Sequence, residues 1–310
     1  MPQPIVHILL ATYNGGRFLA EQLNSIARQS HANWTLTVSD DGSTDNTLDI
    51  VAQFAEQVGQ QVTVLTGPCQ GSSTRNFFHL IQHAQVKDPS DLFAFCDQDD
   101  VWFEDKLERA VAWHANNIDK PVRLYCGRTQ FVNEKLKPIG LSPSIKRPPS
   151  FGNALVQNIA SGNTMVMSSS VLLVLKKVAP EHSVWHDWTA YLVTTATGGQ
   201  VWFDSMPNQF YRQHRDNVLG SNAGLRSLII GYKQSIFGRY QKRLTINLNA
   251  LQDILQFVDK SAVLTIDRML AIRLGKYSIQ RVVILKKSAI RRQTKFSNLS
   301  LLIAAFFGQI

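Results

Sequence analysis

Four times within the first 116 residues, a short apolar run ends in a polar cluster and is followed by a segment with helical periodicity. Ile5–Ala11 leads into Thr12-Tyr13-Asn14-Gly15-Gly16, after which Phe18, Leu19, Leu23, Ile26 and Ala27 recur at helical spacing. Trp34–Ser39, with Trp34, Leu36 and Val38 alternating, ends in Asp40-Asp41-Gly42-Ser43-Thr44-Asp45. A helix through Leu48, Val51, Ala52 and Ala55 follows, and Ser43 or Thr44 is expected to cap it. Val62–Leu65 leads through the loop Gly67–Gly71 to a helix carrying Phe77, Phe78, Leu80 and Ile81. Leu92–Cys96 runs into Asp97-Gln98-Asp99-Asp100, and a helix over Leu107, Ala110, Val111 and Trp113 comes next. Strands alternating with helices in this way predict parallel βαβ units, an α/β sheet flanked by helices. Such sheets bind ligands beyond the carboxyl ends of their strands. The rule therefore gathers Thr12–Asn14, Asp40–Asp45, Arg75-Asn76 and Asp97–Asp100 on one rim.

The fourth cluster is the most pointed chemically. A buried strand delivers three carboxylates within four positions, and carboxylates so close together repel. A divalent cation removes that repulsion, and an all-oxygen ligand set suits Mg2+ or Mn2+. The plainer alternative is a solvated acidic turn in which Asp99, Asp100, Glu104 and Asp105 favour a helix N-terminus.

Beyond residue 120 the pattern loosens. Val122–Cys126 reads as a strand, and Leu141–Ser150, rich in Pro and Ser, as a loop near a cleft. Ser161-Gly162-Asn163-Thr164 precedes the apolar Met165-Val166-Met167. His186-Asp187-Trp188 opens a helix stopped by Gly198-Gly199. Val201–Phe203 and Gln209–His214 read as two further strands.

The formal charge of +9 is carried by the tail. Residues 226–310 hold 15 Lys and Arg against 3 acids, which leaves the preceding part near −3. The tail reads as helical, with a stripe of Leu244, Leu248, Leu251, Leu255 and Val258 and a basic, apolar stretch from Ser278 to Lys295. Leu299–Phe307 is apolar but too short to span a bilayer. Two readings remain: an interfacial anchor on anionic lipid, or a helical bundle with a solvated basic face. Few aromatics accompany the basic face, so nucleic acid is not expected as a partner. Three scattered cysteines, Cys69, Cys96 and Cys126, and a start without a basic n-region point to reduced thiols in a cytoplasmic setting, peripheral on the inner face of the membrane if the anchor reading holds.

Four segments taken together, residues 11–16 (ATYNGG), 39–47 (SDDGSTDNT), 97–100 (DQDD) and 186–188 (HDW) followed by 211–214 (YRQH), resemble family 2 glycosyltransferases of the GT-A fold. The HDW and YRQHRDNVLG segments are similar to bacterial rhamnosyltransferase-type enzymes of polysaccharide and O-antigen synthesis. The resemblance covers roughly residues 4–222 and gives a catalytic domain 1–222 with a basic helical region 223–310. It implies a nucleotide-diphospho-sugar donor, a divalent metal (Mn2+ or Mg2+) and inversion at the anomeric carbon. By position, Thr12, Tyr13, Asn14 and Asp41 would hold the nucleotide, Asp41 accepting a pyrimidine N3–H and Tyr13 lying along the ring. Ala11 stands where some relatives carry a hydroxyl. Arg75 and Asn76 fall among the donor contacts, and Asp97 faces the ribose or the donor sugar. Asp99 would bind the metal, with Asp100 holding the loop behind it. Asp187 would be the general base, ionised at a helix N-terminus, with His186 where relatives often carry Glu. His214 would be a further metal ligand or donor contact, and Arg212 and Arg215 would neutralise phosphate or be surface charges. The donor implied first is dTDP-rhamnose, with UDP-sugars next, and the acceptor a saccharide or lipid-linked saccharide.

Two other functions fit parts of the pattern. A sugar nucleotidyltransferase uses a similar sheet but wants a Gly-rich basic phosphate loop after the first strand, which Gly15-Gly16-Arg17 matches poorly. A non-catalytic membrane-associated scaffold would leave the acidic turn structural. A glycosidase needs only a carboxyl pair, which gives no reason for the pattern around Tyr13 and Asp41.

Overall fold

The computed structural model describes residues 3–214 and 240–310. Its first half follows the alternation in the sequence. Strands β1 (Val6–Thr12), β2 (Trp34–Asp40), β3 (Val62–Thr66) and β4 (Leu92–Asp97) alternate with helices α1 (Leu19–Ala27), α2 (Thr47–Gln57) and α3 (Ser73–His83). All pairings among β1 to β4 are parallel, β1 lying between β2 and β4. Ala11 is level with Asp97 and Thr12 with Asp40, so the polar ends of three strands finish at the same height. β1 and β4 are buried on both faces, which is why they read as continuous apolar runs rather than alternating ones.

After β4 the sheet becomes mixed. A two-residue strand, β5 (Val101–Trp102), and α4 (Lys106–Asn116) lead to the long β6 (Arg123–Val132) and β7 (Pro138–Leu141). Then come α5 (Phe151–Ala154), β8 (Val166–Ser168), α6 (Ser169–Leu175), α7 (His186–Ala196) and β9 (Gln200–Arg212). The sheet order is β3-β2-β1-β4-β8-β6-β9-β5, with β7 paired to β6. β8 is antiparallel to both β4 and β6, while β9 is parallel to β6. The two strands expected at Val201–Phe203 and Gln209–His214 are one, interrupted by register shifts opposite Gly127–Gln130. Those shifts absorb Ser205 and Met206, whose polar and exposed character separated the two runs in the sequence.

Ser43 and Thr44 do not cap α2. The Ser43 hydroxyl donates to Asp40 (2.6 Å), Thr44 N–H is held by Asn14, and Asp45 takes Thr47 N–H at 3.1 Å instead. The stripe Leu244–Val258 is also broken: α8 (Tyr240–Asp253) ends before Leu255, which is exposed.

Three more helices, α9 (Lys260–Leu274), α10 (Ser278–Lys287) and α11 (Lys295–Phe306), complete the described chain. They do not form a core of their own. Leu244, Leu251, Met269, Ile272, Leu285 and Leu301 belong to the same apolar cluster as Phe77, Phe95, Met167 and Leu192. The boundary expected near residue 222 lies outside the described residues. No described helix is long and apolar enough to cross a membrane.

Candidate active site

The loops after β1, β2, β3 and β4 are laced together by side-chain bonds to backbone. Thr12 donates its hydroxyl to Asp40 at 2.9 Å, and Asp40 in turn accepts Ser43 N–H at 2.8 Å. Asn14, in the left-handed region at φ 46°, donates its N–H to the Ser43 hydroxyl and accepts Thr44 N–H on its side chain. Gly16 N–H reaches Asp45 at 2.9 Å, and a Cβ there would lie 2.0 Å from the Asn46 side-chain oxygen. Only glycine lets these two loops approach so closely. Gln98, from the acidic turn, brackets Tyr13: its amide accepts Tyr13 N–H at 2.9 Å and donates to Tyr13 C=O at 3.0 Å. The Tyr13 ring is left exposed and able to lie along a base.

Asp41 is buried and accepts the N–H groups of Gln70 and Gly71 at 3.2 and 2.9 Å, pinning the loop after β3. A carboxylate has about four acceptor positions, so two remain for a nucleobase N–H. Arg75 stands in the first turn of α3, half-exposed, with its guanidinium 3.9 Å from Glu181. Asn76 is placed differently from the expected donor contact. Its side chain is buried, accepts from Ser39, and donates to the carbonyls of Thr12 and Ser39 at 3.2 and 2.9 Å. It ties the ends of β1 and β2, with both of its amide hydrogens engaged by the chain.

Arg212 is likewise not a free phosphate partner. Only 1% exposed, it donates to the carbonyls of Asp99 and Glu134 and to the Glu21 carboxylate at 2.7 Å, with its guanidinium over the Phe18 ring. Its position fixes the backbone of Asp99. The Asp99 side chain meets His214 Nε2 at 2.6 Å, so these two predicted metal ligands, 115 positions apart, do converge. Arg215 lies outside the described residues.

Behind the turn sits a wholly buried network. Lys106 Nζ donates to Asn163 C=O (2.5 Å) and Gln209 Oε1 (2.6 Å), above the Trp102 ring. The Asn163 and Gln209 amides both donate to one Asp100 oxygen, at 2.5 and 2.8 Å. Burial pushes the Asp100 carboxyl up and the Lys106 ammonium down to about 7. Asp100 thus holds the loop, as expected of it. Lys106, Asn163 and Gln209 escaped sequence reading because their partners lie far away in the chain.

The neighbour of Asn163 holds the other half of the site. Gly162 N–H donates to Asp187 Oδ2 at 3.2 Å, Trp188 N–H to Asp187 Oδ1 at 2.6 Å, and the Asn158 side chain bonds the same carboxylate. A Cβ on Gly162 would lie 2.5 Å from His186 Nε2 and 3.2 Å from the Asp187 Cβ. Burial raises the Asp187 carboxyl to about 6. Asp97, at the end of β4, is raised to about 7 by burial, then by the nearby charges of Asp99 and Asp187. The charge of Asp187 is therefore felt at Asp97, in the acidic turn. His186 lies flat on Phe77 (3.8 Å between centroids) and edge-on to Phe95, and burial lowers it to about 3. It is a neutral packing ring there rather than a second acid.

Among the described residues, no group of three or more His, Cys, Asp and Glu side chains is gathered closely enough to hold a metal ion by protein alone. The Asp99–His214 pair could offer two ligands, and Mg2+-type ions are commonly held by one or two carboxylates together with substrate phosphates and water. Mutually repelling carboxylates at Asp97, Asp99 and Asp187 are the charge pattern that a cation would relieve. The residues present fit a metal completed by a diphosphate.

A sequence profile described as "Glycosyl transferase family 2" matches residues 7–182, more than half of the chain. The chain belongs to glycosyl transferase family 2. It is 29% identical over 260 residues to the dTDP-rhamnosyl transferase RfbG of Shigella flexneri, covering 79% of this chain and 85% of that protein. In fold, this family 2 enzyme is similar to TarS (residues 1–349) of S. aureus in complex with UDP-GlcNAc, with a TM-score of 0.56 and 16% identity over 98% of this chain and 88% of that one. It is also similar to the mannosyltransferase PcManGT from Pyrobaculum calidifontis in complex with GDP-Man and Mn2+, with a TM-score of 0.50 and 16% identity over 100% of this chain and 86% of that one. The fold is GT-A and the chain is a glycosyltransferase.

Proposed function

We propose that this glycosyltransferase moves a sugar with inversion from a nucleotide-diphospho-sugar, a dTDP- or UDP-sugar and first of all dTDP-rhamnose, to a saccharide or lipid-linked saccharide in cell-surface polysaccharide synthesis. One observation carries the reading. Adjacent residues of a single loop, Gly162 and Asn163, hold the Asp187 carboxylate and the acidic turn. The proposed base and donor turn are thereby held by one loop, which supports alignment of both substrates between them. The similarity to a dTDP-rhamnosyl transferase over most of both chains supports the donor.

The nucleobase lies along Tyr13 with its N3–H on Asp41, and Asp97 meets the ribose or the donor sugar. Asp99 and His214 would hold Mn2+ or Mg2+, which when bound supplies Lewis-acid stabilisation to the departing nucleoside diphosphate. Asp187, ionised above pH 6, takes the proton of the acceptor hydroxyl. The acceptor oxygen attacks the anomeric carbon as the bond to the diphosphate oxygen breaks on the opposite face. Asn76, Arg212 and Lys106 position these groups without touching substrate. The basic C-terminal helices bring the enzyme to an anionic membrane face where a lipid-linked acceptor is carried.

Incubation with a panel of nucleotide sugars and Mn2+ tests the reading. Slow release of free nucleoside diphosphate from a dTDP- or UDP-sugar is expected, suppressed by chelator and restored by Mn2+ or Mg2+. Release of pyrophosphate would favour a nucleotidyltransferase, and undiminished activity in chelator would remove the role given to Asp99 and His214.

A further inference from the structure

The last 43 residues, Arg268 to Ile310, contain nine Lys and Arg and no Asp or Glu. Within them a single arginine draws two chain segments into one corner. Arg281, near the start of α10, donates from Nη1 to Gly275 C=O (2.7 Å), from Nε to Ala305 C=O (2.7 Å), and from Nη2 to Phe306 C=O (2.7 Å) and the Ser278 hydroxyl (3.2 Å). This clamp sets the turn between α9 and α10 beside the end of α11. The side chains at this corner are large, apolar and turned to solvent: Leu274 is 83% exposed, Tyr277 65%, Ile279 74% and Phe307 63%. Phe306 and Phe307 meet edge to face at 5.2 Å, and the Lys276 ammonium stands 5.9 Å from the Tyr277 ring. Asp267 and Arg268 are both exposed on α9, and Lys286 and Lys287 are exposed at the far end of α10. Asp267 is the nearest acid in sequence.

Scattered exposed apolar residues need no explanation, but a clustered and rigidly held group does. Water disfavours it, and the surrounding cations select the occupant. A predominantly basic field around protruding Leu, Ile, Tyr and Phe side chains matches the layered chemistry of a bilayer, with anionic headgroups outside and acyl chains beneath. Nucleic acid would answer the charges but not the aliphatic tips.

We infer that the Arg281-clamped corner, Leu274, Tyr277, Ile279 and Phe307, inserts into the headgroup region of an anionic bilayer and is the membrane contact of this enzyme. The inference rests on the proposed lipid-linked acceptor only for its purpose; the contact itself is argued from the corner. It also places the contact earlier in the chain than Leu299–Phe307 alone would, on the α9–α10 turn.

Flotation of the full chain with vesicles tests it. Wild type should float with phosphatidylcholine mixed with phosphatidylglycerol, less so at high salt, and should stay in solution with phosphatidylcholine alone. The double variant Leu274→Glu, Phe307→Glu should lose flotation while keeping the circular dichroism, melting transition and transfer to a soluble saccharide of the wild type. Leu274→Trp should show a blue-shifted emission component on anionic vesicles, quenched by brominated lipid. If wild type stays in solution with anionic vesicles yet transfers sugar to a soluble acceptor, the corner is refuted and the enzyme assignment stands. Concentration-dependent self-association abolished by the double variant, without vesicle binding, would also refute it, in favour of a second copy as occupant. Flotation without any transfer or donor binding would leave the corner intact and sink the catalytic reading.

Discussion

A carboxylate acting as base must be ionised when the acceptor arrives, yet Asp187 is buried enough to be raised to about 6. A base pKa slightly below neutrality suits proton removal near pH 7. The rate of transfer should therefore fall along an acid limb centred near pH 6, measured as kcat in buffers from pH 5 to 8; a limb centred near pH 4 would deny the burial effect. The same shift has a stability consequence. A folded-state pKa above the unfolded one favours folding when the group is protonated, and that contribution is lost as pH rises through about 6. Asp187→Asn should thus melt higher than wild type at pH 8, by on the order of 1–3 kcal/mol of stability, with the difference vanishing near pH 4. Equal melting temperatures at both pH values would contradict this. At this scale the sequence told a good deal. The gathering of Tyr13, Asp41, Asp97 and Asp99 on one rim follows from strand ends, whereas Asp187, at a helix N-terminus, is named through the family resemblance. What it hid was occupancy: Asn76 and Arg212 carry the right groups for donor binding but have them engaged by the chain itself. Hydrogen-bond partners distant in sequence leave no periodic trace.

The element that matters most is the short loop 161–163. It has no secondary-structure pattern, and its polar residues resemble any turn before a strand. Yet Gly162 N–H holds Asp187, the proposed base, the Asn163 side chain fixes Asp100, and Asn163 C=O receives Lys106. Gly162→Ala would drive a methyl toward His186 and Asp187. Its expected result is a loss of about 1–3 kcal/mol of stability and a larger fall in kcat than in donor affinity; wild-type kcat would show that the loop does not set the base. Lys106→Met leaves the Asn163 C=O and Gln209 Oε1 acceptors unpaired in the interior, and should cost about 1–3 kcal/mol for each in chemical denaturation. A change under 1 kcal/mol would mean the network is already neutral or hydrated. The βαβ elements, by contrast, were plain from periodicity, because β1 and β4 are buried on both faces. The second half was harder to read. Its strands are short or interrupted, and the bulge opposite Gly127–Gln130 broke one strand into two apparent ones.

At the scale of the molecule, the basic C-terminal helices looked in sequence like an appendage, because their charge differs so sharply from the front. In the fold, Leu244, Met269, Leu285 and Leu301 pack into the core shared with α7 and the sheet. Gln293 accepts the N–H groups of Lys146 and Arg147, and Ala289 C=O crowds Gly152, so these helices brace the segment leading to Asn158 and Asp187. A chain ending at residue 239 should therefore be insoluble or melt without a cooperative transition; a folded, active fragment would show that the C-terminal helices are dispensable. Charge marks what a surface meets, whereas apolar periodicity marks what it packs on, and here the two point to opposite faces of the same helices. The proposed catalysis requires separate strand ends to meet a helix N-terminus, where Asp187 would remove the acceptor proton. Single-turnover transfer by Asp187→Asn, with nucleotide-sugar binding measured on the same sample, tests that most directly. Donor affinity should match wild type while the transfer rate falls by roughly 10²–10⁴-fold; wild-type transfer, or donor binding lost together with it, would contradict the assignment.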